Sequence, residues 1–430
     1  MDTETPVAGN ANPYAMLGVR PFINCCSVRT VHGGSLMLPQ VSAAMAEASR
    51  HFVNLDELME AAGARLAELT GAEWGLVTCG SAAAVSLATA ACVAGNDPIK
   101  MLRLPFTEGW PRRVVMVRNQ RFAYDQAIRM VGTEIYEIDS LDELEAAFSV
   151  PVAMVAILGT HEAQSAVRME DFLPFTRPRG VPIMVDAASE HLENPSPWLV
   201  RGADLVIYSG GKFLRGPQTS GLLLGKKKLV QAAWRNASPH QAFGRPMKVS
   251  KEDVVGLRER LMEGSPRVML DDMSATANST VVNPFGLQPG EAAEVADAIV
   301  SALRAGAKAK LAAAVMTPGS AVAGNWVVHV DFLHGEREHR LHLVQDGNRL
   351  SGKQASLQFD GPVSGTISGD DVTLVFDTQY EGSTIRYHFS GTLADGAMAG
   401  KVLLGTSTAH HQGVVNLQQF GSADWSATPG

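Results

Sequence analysis

The chain has 430 residues, 46% of them hydrophobic, so it is long enough for two or three domains with sizeable apolar cores. Its net charge of −8, with no run of five like charges, argues against nucleic acid or an anionic membrane as its partner. The cysteines, at 25, 26, 79 and 92, have no metal-ligand spacing, so we expect no metal site and a reduced, cytoplasmic protein. No secretory signal or membrane-spanning run is recognisable.

The first regular elements form a helix-strand-helix succession. Apolar positions recur at helical spacing from residue 56 to 70 and end at Gly71, which predicts an amphipathic helix. Trp74 to Thr78 predicts a short strand, and the small residues from Ser81 to about Ala94 predict another helix. The turn at Cys79-Gly80-Ser81 could bind an anion through backbone N–H groups, or could be an ordinary helix start.

Strands and helices continue to alternate as far as residue 225. Apolar runs predict strands at Arg113 to Val117, Thr133 to Ile138, Val152 to Leu158, Val181 to Val185, Asp204 to Tyr208 and 219 to 224. Helical patterns lie between these strands at 125 to 131, 140 to 148 and 170 to 177, and two more follow the last strand at 252 to 261 and 291 to 311. This alternation predicts an α/β fold with a mostly parallel sheet and helices on both faces.

Polar groups follow two of these strands. Asp186 comes directly after Val185, and Ser209 and Lys212 follow Tyr208 in a glycine-rich loop. Open α/β sheets bind ligands beyond the carboxyl ends of their strands, so these groups could meet in one crevice. A carboxylate, a hydroxyl and a lysine there suggest pyridoxal phosphate, with Asp186 on the pyridine nitrogen, Ser209 on the phosphate and Lys212 as the Schiff-base residue. The alternative is a surface lysine in a flexible turn.

His161 follows the strand that ends at Leu158. It could stack on a cofactor or act as a base, but a loop histidine that faces solvent fits the pattern equally well. Tyr124 and Asp125, after an earlier strand, are open to the same two interpretations.

Beyond Gly324 helical periodicity disappears and short alternating runs take over. These runs are Trp326 to Phe332, Arg340 to Gln345, Val372 to Phe376, Ile385 to Phe389 and Lys401 to Leu404. Turn signals such as Asp346-Gly347-Asn348 separate them. The pattern predicts an all-β domain of about eight strands, either a small barrel or a sandwich.

Several motifs in the first part of the chain are typical of one enzyme family. They are Leu17 to Asn24, Gly33 to Met37, Glu68 to Glu73, Thr78 to Ala84, Val185 to Ala188, Ser209 to Gly221 and Gly244 to Val249. Residues 14 to about 260 resemble fold-type I pyridoxal-phosphate enzymes, in particular the selenocysteine-synthase-like branch that includes D-glucosaminate-6-phosphate ammonia-lyase. The resemblance implies a cofactor-binding large domain at 21–260 and a truncated small domain at 261–312. Composition and patterning add a lead at 1–20, a linker at 313–324 and the all-β domain at 325–430.

The resemblance also implies roles for individual residues. Lys212 is expected to form the Schiff base, and Asp186 is expected to keep the pyridine nitrogen protonated. The other expected cofactor-binding residues are Ser81, Ala82, Ala83, Ser209 and Gln120. Candidates for holding the substrate are His161, Arg245, Lys248 and Arg267, although each could equally be a surface group.

The chemistry follows from the electron-withdrawing pyridinium ring, which makes the Cα proton of a bound amino acid removable, with Lys212 as the expected base. Loss of a β-hydroxyl would then lead to a 2-keto acid and ammonia. We expect a lyase for a hydroxy amino acid or an amino sugar acid. The alternatives are a racemase, an aldolase, or a cofactor-binding scaffold whose β domain binds a partner, while the acidic charge disfavours selenium transfer to tRNA. A homodimer or larger homo-oligomer is implied by the resemblance.

Overall fold

The computed structural model describes residues 12–262, positions 293, 296 and 300, and residues 318–430 apart from 332–335, 357–358, 381–382, 409–410 and 417–421. The truncated small domain predicted at 261–312, the long helix predicted within it and Arg267 therefore lie almost entirely outside the described residues. The predicted domain boundaries stay predictions.

The first part of the chain forms a seven-stranded sheet. Its strands are β1 (Trp74–Thr78), β2 (Arg113–Val117), β3 (Glu134–Ile138), β4 (Val152–Leu158), β5 (Ile183–Asp186), β6 (Leu205–Ser209) and β7 (Gly221–Gly225), in the order β1-β7-β6-β5-β4-β2-β3. Strand β7 is antiparallel to both of its neighbours, and the other pairs are parallel. The carboxyl ends of the other six strands therefore lie at one edge of the sheet.

Strand β4 is buried at every one of its 7 positions. Side chains on both faces of the sheet are therefore covered, as expected for a parallel sheet with helices on both sides. The helices of this part are α1 (Pro39–Ala48), α2 (Leu55–Thr70), α3 (Ser81–Ala94), α4 (Pro98–Arg103), α5 (Gln126–Arg129), α6 (Leu144–Ala147), α7 (Gly159–Glu162), α8 (Met169–Arg179), α9 (Pro197–Arg201), α10 (Lys227–Asn236) and α11 (Lys251–Met262). Helix α3 packs on α5 and α10, while α11 packs on α1 and α2. The predicted fold class is confirmed.

Helix α2 shows how local sequence sets these boundaries. The Asn54 side chain accepts hydrogen bonds from the backbone N–H groups of Asp56 and Glu57, and Gly71 ends the helix in the left-handed conformation with φ +70°. Its buried positions, three or four residues apart, form the face that packs on β1.

Two predicted helices are shorter in the structure. In place of the helix predicted at 125–131, a 3-10 turn at Ala123–Asp125 is followed by α5. In place of the helix predicted at 140–148, a 3-10 turn at Leu141–Glu143 is followed by α6. In the first, the carboxylate of Asp125 binds Arg121 and Arg129 at 2.6 and 3.0 Å instead of capping a helix. Asp125 is completely buried, so its role in the structure is to hold this turn.

The C-terminal part is a closed antiparallel barrel of eight strands, which decides between the predicted barrel and sandwich. Its strands are β8 (Gly324–Asp331), β9 (Glu336–Asp346), β10 (Arg349–Ala355), β11 (Asp360–Ser368), β12 (Asp371–Tyr380), β13 (Ser383–Ala394), β14 (Ala397–Thr408) and β16 (Ser422–Pro429), with β15 (His411–Asn416) paired to β14. Neighbouring strands pair in chain order from β8 to β14, and β16 closes the barrel between β14 and β8.

The alternating runs found in the sequence did not include strands β10, β11, β15 and β16. On β10, Gly352 and Gln354 take inward positions where an apolar residue would have shown the alternation, and a side chain at Gly352 would collide with the backbone of His342. The barrel interior is filled by apolar side chains from alternate positions, among them the rings of Phe376, Tyr387, Phe389 and Trp425.

His339 on β9 lies within this interior and is 1% exposed. Its ring centroid is 5.0 Å from that of Phe376 and 5.1 Å from that of Tyr387. Burial lowers the pKa of His339 to about 4. The imidazole is therefore uncharged in the folded barrel at neutral pH.

In the part of the chain that the structure describes, no helix has the length and apolar character needed to cross a membrane.

We expect the barrel to lose stability as the pH falls from 6.5 to about 4, because in this interval His339 takes up a proton in the unfolded chain and not in the folded one. The maximum effect is about 3 kcal/mol, at about 1.4 kcal/mol per pH unit. The His339→Leu variant should lack this part of the pH dependence. Hydrogen exchange of barrel peptides in the full-length protein, compared between variant and parent at each pH, measures it.

The control is His342→Gln, on the outer face of the same strand. This variant should show the same dependence of barrel stability on pH as the parent. If barrel stability fell with pH between 6.5 and about 4 as steeply in His339→Leu as in the parent, the prediction would be wrong.

Candidate active site

Asp186 is the last residue of β5 and is 8% exposed. Its Oδ1 accepts a hydrogen bond from the backbone N–H of Ala188 at 2.9 Å. Burial raises the pKa of the Asp186 carboxyl, while the Ala188 N–H and the positive charge of Lys212 act in the opposite direction. The carboxylate thus lies within electrostatic reach of the lysine, as expected for neighbouring strand ends.

Lys212 lies in the loop after β6 and is half-buried. Its Nζ donates a hydrogen bond to Oγ of Ser189 at 2.7 Å. Burial lowers the pKa of the Lys212 amine, and the charge of Asp186 partly offsets this. The pair therefore combines an amine whose pKa is lowered by burial with a carboxylate in a shielded position.

The loop that carries Lys212 is fixed by hydrogen bonds on both sides. The backbone N–H and the hydroxyl of Ser35 donate to the carbonyl of Gly211 at 3.0 and 3.1 Å. The N–H of Gly210 donates to the carbonyl of Ser220 at 2.9 Å, and the N–H of Gly216 donates to the carbonyl of Gly210 at 2.8 Å. The N-terminal segment and the start of β7 thus hold the lysine loop in place.

The first turn of α3 lies beside this loop because of a close approach at Gly221. This first residue of β7 is paired with Thr78 on one side and Ser209 on the other. A Cβ at Gly221 would lie 2.4 Å from the carbonyl carbon of Gly80 and 2.6 Å from the nitrogen of Ser81. Only a residue without a side chain lets the α3 N-terminus and Ser209 lie together.

This α3 N-terminus has the properties of an anion site. Gly80 begins the helix with φ +112°, a conformation that favours glycine, and no side chain caps the turn. The backbone N–H groups of Ser81, Ala82 and Ala83 are in the first turn of a 14-residue helix, whose dipole favours negative charge.

Together these groups fit pyridoxal phosphate. The buried Asp186 can accept a hydrogen bond from a protonated pyridine nitrogen, the α3 N-terminus and Ser209 can hold the phosphate, and Lys212 can react with the aldehyde. The space that Gly221 leaves empty beside Gly80 is part of this arrangement.

A cavity of about 340 Å³ opens beside the first turn of α3. It is lined by Ala82 and Ala83, by Tyr124, and by Met247 together with five other residues. Its walls are mainly apolar. Met247 brings the segment that carries Arg245 and Lys248 to the same region.

The remaining predicted site residues lie as follows. Gln120 is 1% exposed, and its side-chain amide accepts from the N–H of Leu158 at 2.9 Å and donates to Ser165 at 2.8 Å, so it joins the ends of β2 and β4. His161 is half-buried in α7, with Nδ1 3.0 Å from the hydroxyl of Thr160. Arg245 and Lys248 are exposed, and Arg245 contacts Ser238 at 3.3 Å. Arg267 is outside the described residues.

Ser189 and the two rings near it, His191 and Phe213, are not among the residues predicted for the site. The centroids of these rings are 4.4 Å apart and nearly parallel, at 29°. A hydroxyl three positions after the strand-end Asp186 was the available signal, but the contact with Lys212 depends on the loop conformation. Among the described residues, no group of three or more His, Cys, Asp or Glu side chains could hold a metal ion.

Comparison with known proteins shows the relationships of this chain. It is 34% identical over 257 residues to D-glucosaminate-6-phosphate ammonia lyase of Salmonella typhimurium, covering 57% of this chain and 68% of that protein. It is 35% identical over 263 residues to 5'-C-glycyluridine monooxygenase-decarboxylase of a Streptomyces species, covering 58% of this chain and 64% of that protein. L-seryl-tRNA(Sec) selenium transferase of Nitratidesulfovibrio vulgaris is 25% identical over 64% of this chain and 61% of its own length.

Among solved structures, that of a D-glucosaminate-6-phosphate ammonia-lyase superposes with a TM-score of 0.55 and 29% identity, covering 77% of this chain and 82% of that one. No profile of a protein family matches the chain. The chain belongs to the family of D-glucosaminate-6-phosphate ammonia lyase, within the branch of fold-type I pyridoxal-phosphate enzymes that also contains the selenium transferases.

Proposed function

We propose that this protein is a pyridoxal-phosphate-dependent lyase that removes ammonia from an amino sugar acid or a related hydroxy amino acid and yields a 2-keto acid. The observation that carries the proposal is the position of Lys212 beside the buried Asp186, at the edge of the sheet where α3 begins. The relationship to D-glucosaminate-6-phosphate ammonia lyase supports the choice of reaction.

Each residue of the site has a defined task in this reaction. Pyridoxal phosphate, when bound, withdraws electrons from the Cα atom of the attached amino acid. Lys212 Nζ removes the Cα proton, which the lowered pKa of its amine favours, because only the neutral amine can accept a proton. Asp186 holds the pyridine nitrogen in its protonated form, and the α3 N-terminus with Ser209 fixes the phosphate.

The hydroxyl group on Cβ needs a proton to leave as water. Lys212 is placed to donate the proton that it took from Cα. Breaking the bond between Cβ and its hydroxyl, with this proton, releases one water molecule and leaves an unsaturated amine. Hydrolysis of that amine consumes one water molecule and gives the 2-keto acid and ammonia. The net change is loss of ammonia without any oxidant or reductant.

Arg245 and Lys248 are proposed to bind the anionic groups of the substrate. Both are exposed cations, and Met247 between them lines the cavity beside α3. A phosphate or carboxylate group on the substrate would be attracted by them. His161 is proposed as a further contact, since it follows β4 at the same edge of the sheet.

A second candidate reaction comes from the relative named as a monooxygenase-decarboxylase, whose identity to this chain is equally high, at 35%. Decarboxylation with oxygen would start from an amino acid on the same cofactor and would use the same residues to hold it. Racemase and aldolase activities rest on the same proton removal at Cα. The non-enzymatic alternative is a cofactor-binding scaffold with a partner on the barrel.

A homodimer or larger homo-oligomer is also proposed. Exposed large apolar side chains concentrate in the N-terminal part of the chain, which also fixes the lysine loop through Ser35. They are Tyr14, Met16, Leu17, Val19, Phe22, Val31, Leu36, Met37, Phe52 and Val53. A second copy of the chain is proposed to cover these exposed side chains.

A cytoplasmic location is proposed from the cysteines. Cys25, Cys26, Cys79 and Cys92 are all free thiols. Burial raises the pKa of the Cys92 thiol to about 12. Free thiols persist in reducing compartments.

Adding pyridoxal phosphate to the protein should produce an absorbance band at about 420 nm, typical of its Schiff base with a lysine. The Lys212→Ala variant should lack the band, because its reactive amine is gone. The control Lys228→Ala, which removes an exposed lysine on α10, should keep it. A full-strength band in Lys212→Ala would remove the basis of the cofactor assignment.

A panel of D- and L-hydroxy amino acids and phosphorylated amino sugar acids tests the reaction itself. We expect release of one ammonia and one 2-keto acid per substrate consumed, without oxygen uptake, and about a thousandfold less in Lys212→Ala, in line with removal of a catalytic base. Oxygen uptake with carbon dioxide release would favour the second candidate. Inversion at Cα without ammonia would indicate a racemase, and no reaction would favour the scaffold.

The Gly221→Ala variant should bind pyridoxal phosphate at least about tenfold more weakly, which corresponds to about 1.4 kcal/mol. The added Cβ must displace the backbone of Gly80 and Ser81, and with it the N–H groups proposed to hold the phosphate. Titration of the absorbance band gives the affinity, and circular dichroism verifies that the variant is folded. Unchanged affinity in a folded variant would show that the phosphate binds elsewhere.

A further inference from the structure

The hydrogen bond between Lys212 Nζ and Ser189 Oγ, 2.7 Å long, is a contact between two loops from neighbouring strands. Ser189 is exposed, whereas Lys212 is half-buried. A serine hydroxyl can accept a hydrogen bond from an ammonium group and can donate one to a neutral amine. Ser189 can therefore bind the amine of Lys212 in either protonation state.

The backbone around Ser189 holds its hydroxyl in a defined place. The N–H of Ala187 donates to the carbonyl of Ile207 on β6 at 2.9 Å, and the N–H of Glu190 donates to the carbonyl of Ala187 at 3.0 Å. The N–H of Ala188 is bound by Asp186. Hydrogen bonds therefore hold this turn both to β6, the strand before Lys212, and to the carboxylate of Asp186.

A second contact joins the same two loops one or two residues farther along. His191 stacks on Phe213, with ring centroids 4.4 Å apart, and Phe213 directly follows Lys212. The adjacent Glu190 accepts a hydrogen bond from Trp198 at 2.7 Å, which anchors its side of the turn. The distance between Ser189 and Lys212 is thus maintained by packing as well as by their own hydrogen bond.

We propose that Ser189 is a positioning residue that holds the free amine of Lys212 whenever this amine is not bonded to the cofactor. A lysine side chain has many rotamers of similar energy, and one fixed acceptor restricts them. Under the proposed function, which this inference extends, Lys212 is free during every turnover while it moves the Cα proton. It is also free in the protein without cofactor, before pyridoxal phosphate is captured.

The capture step allows a test that needs no substrate. The cofactor-free protein is mixed with pyridoxal phosphate, and the rise of the absorbance band is followed in time. We expect Ser189→Ala to capture the cofactor about tenfold more slowly, a change in keeping with the loss of one hydrogen bond. Ser189→Thr keeps a hydroxyl and should restore most of the rate. Ser149→Ala, which alters an exposed serine after α6, is the matched control.

With substrate, the same loss should lower kcat about tenfold and leave KM nearly unchanged, because a freely rotating amine affects proton transfer more than binding. Capture by Ser189→Ala at the parent rate would overturn the proposal, and so would a Ser189→Thr variant as slow as Ser189→Ala. Slow capture in a protein without lyase activity would uphold the role of Ser189 and reject the proposed reaction. The two ideas can therefore fail separately.

Discussion

The site depends on two opposite charges that burial disfavours and that stabilise each other. The carboxyl of Asp186 is shielded at the end of β5, which raises its pKa, and the amine of Lys212 is shielded after β6, which lowers its pKa. Each counteracts part of the shift of the other. The parallel pairing of β5 and β6 places the two residues at neighbouring strand ends and is therefore the structural condition for this pair.

The antiparallel strand β7 completes the arrangement from the other side. It lies between β1 and β6, and its first residue, Gly221, touches the backbone where α3 begins. The N–H groups at the start of α3 and the hydroxyl of Ser209 are consequently within one short stretch of the sheet edge. The loop of Lys212 is then held by Ser35 and Ser220, so the rigid sheet supplies positions and the loops supply reactive groups.

The parts proposed to bind the cofactor leave the choice of reaction open. Two relatives with nearly the same identity to this chain are named for an ammonia lyase and a monooxygenase-decarboxylase. The difference must come from groups that contact the rest of the substrate, where the exposed Arg245 and Lys248 and the half-buried His161 are the candidates on this chain. The barrel is a separate apolar core with a buried, uncharged histidine, and it has no assigned role in the reaction.

The sequence by itself determined the sheet, the strand ends and the residues Asp186 and Lys212, because buried parallel strands are continuous apolar runs and their ends are marked by polar and glycine residues. It also indicated an all-β domain, but not β10 or β11, whose inward positions include glycine and glutamine. The sequence did not distinguish a barrel from a sandwich, because the barrel is closed by the pairing of β16 with β8, which are far apart in the chain. Contacts between distant parts of the chain also decide what Ser189 and Gln120 bind. Ser189 contacts Lys212 from a different loop, and Gln120 is enclosed between the ends of β2 and β4. Local sequence specifies which groups are available, and only the tertiary structure decides which of them meet.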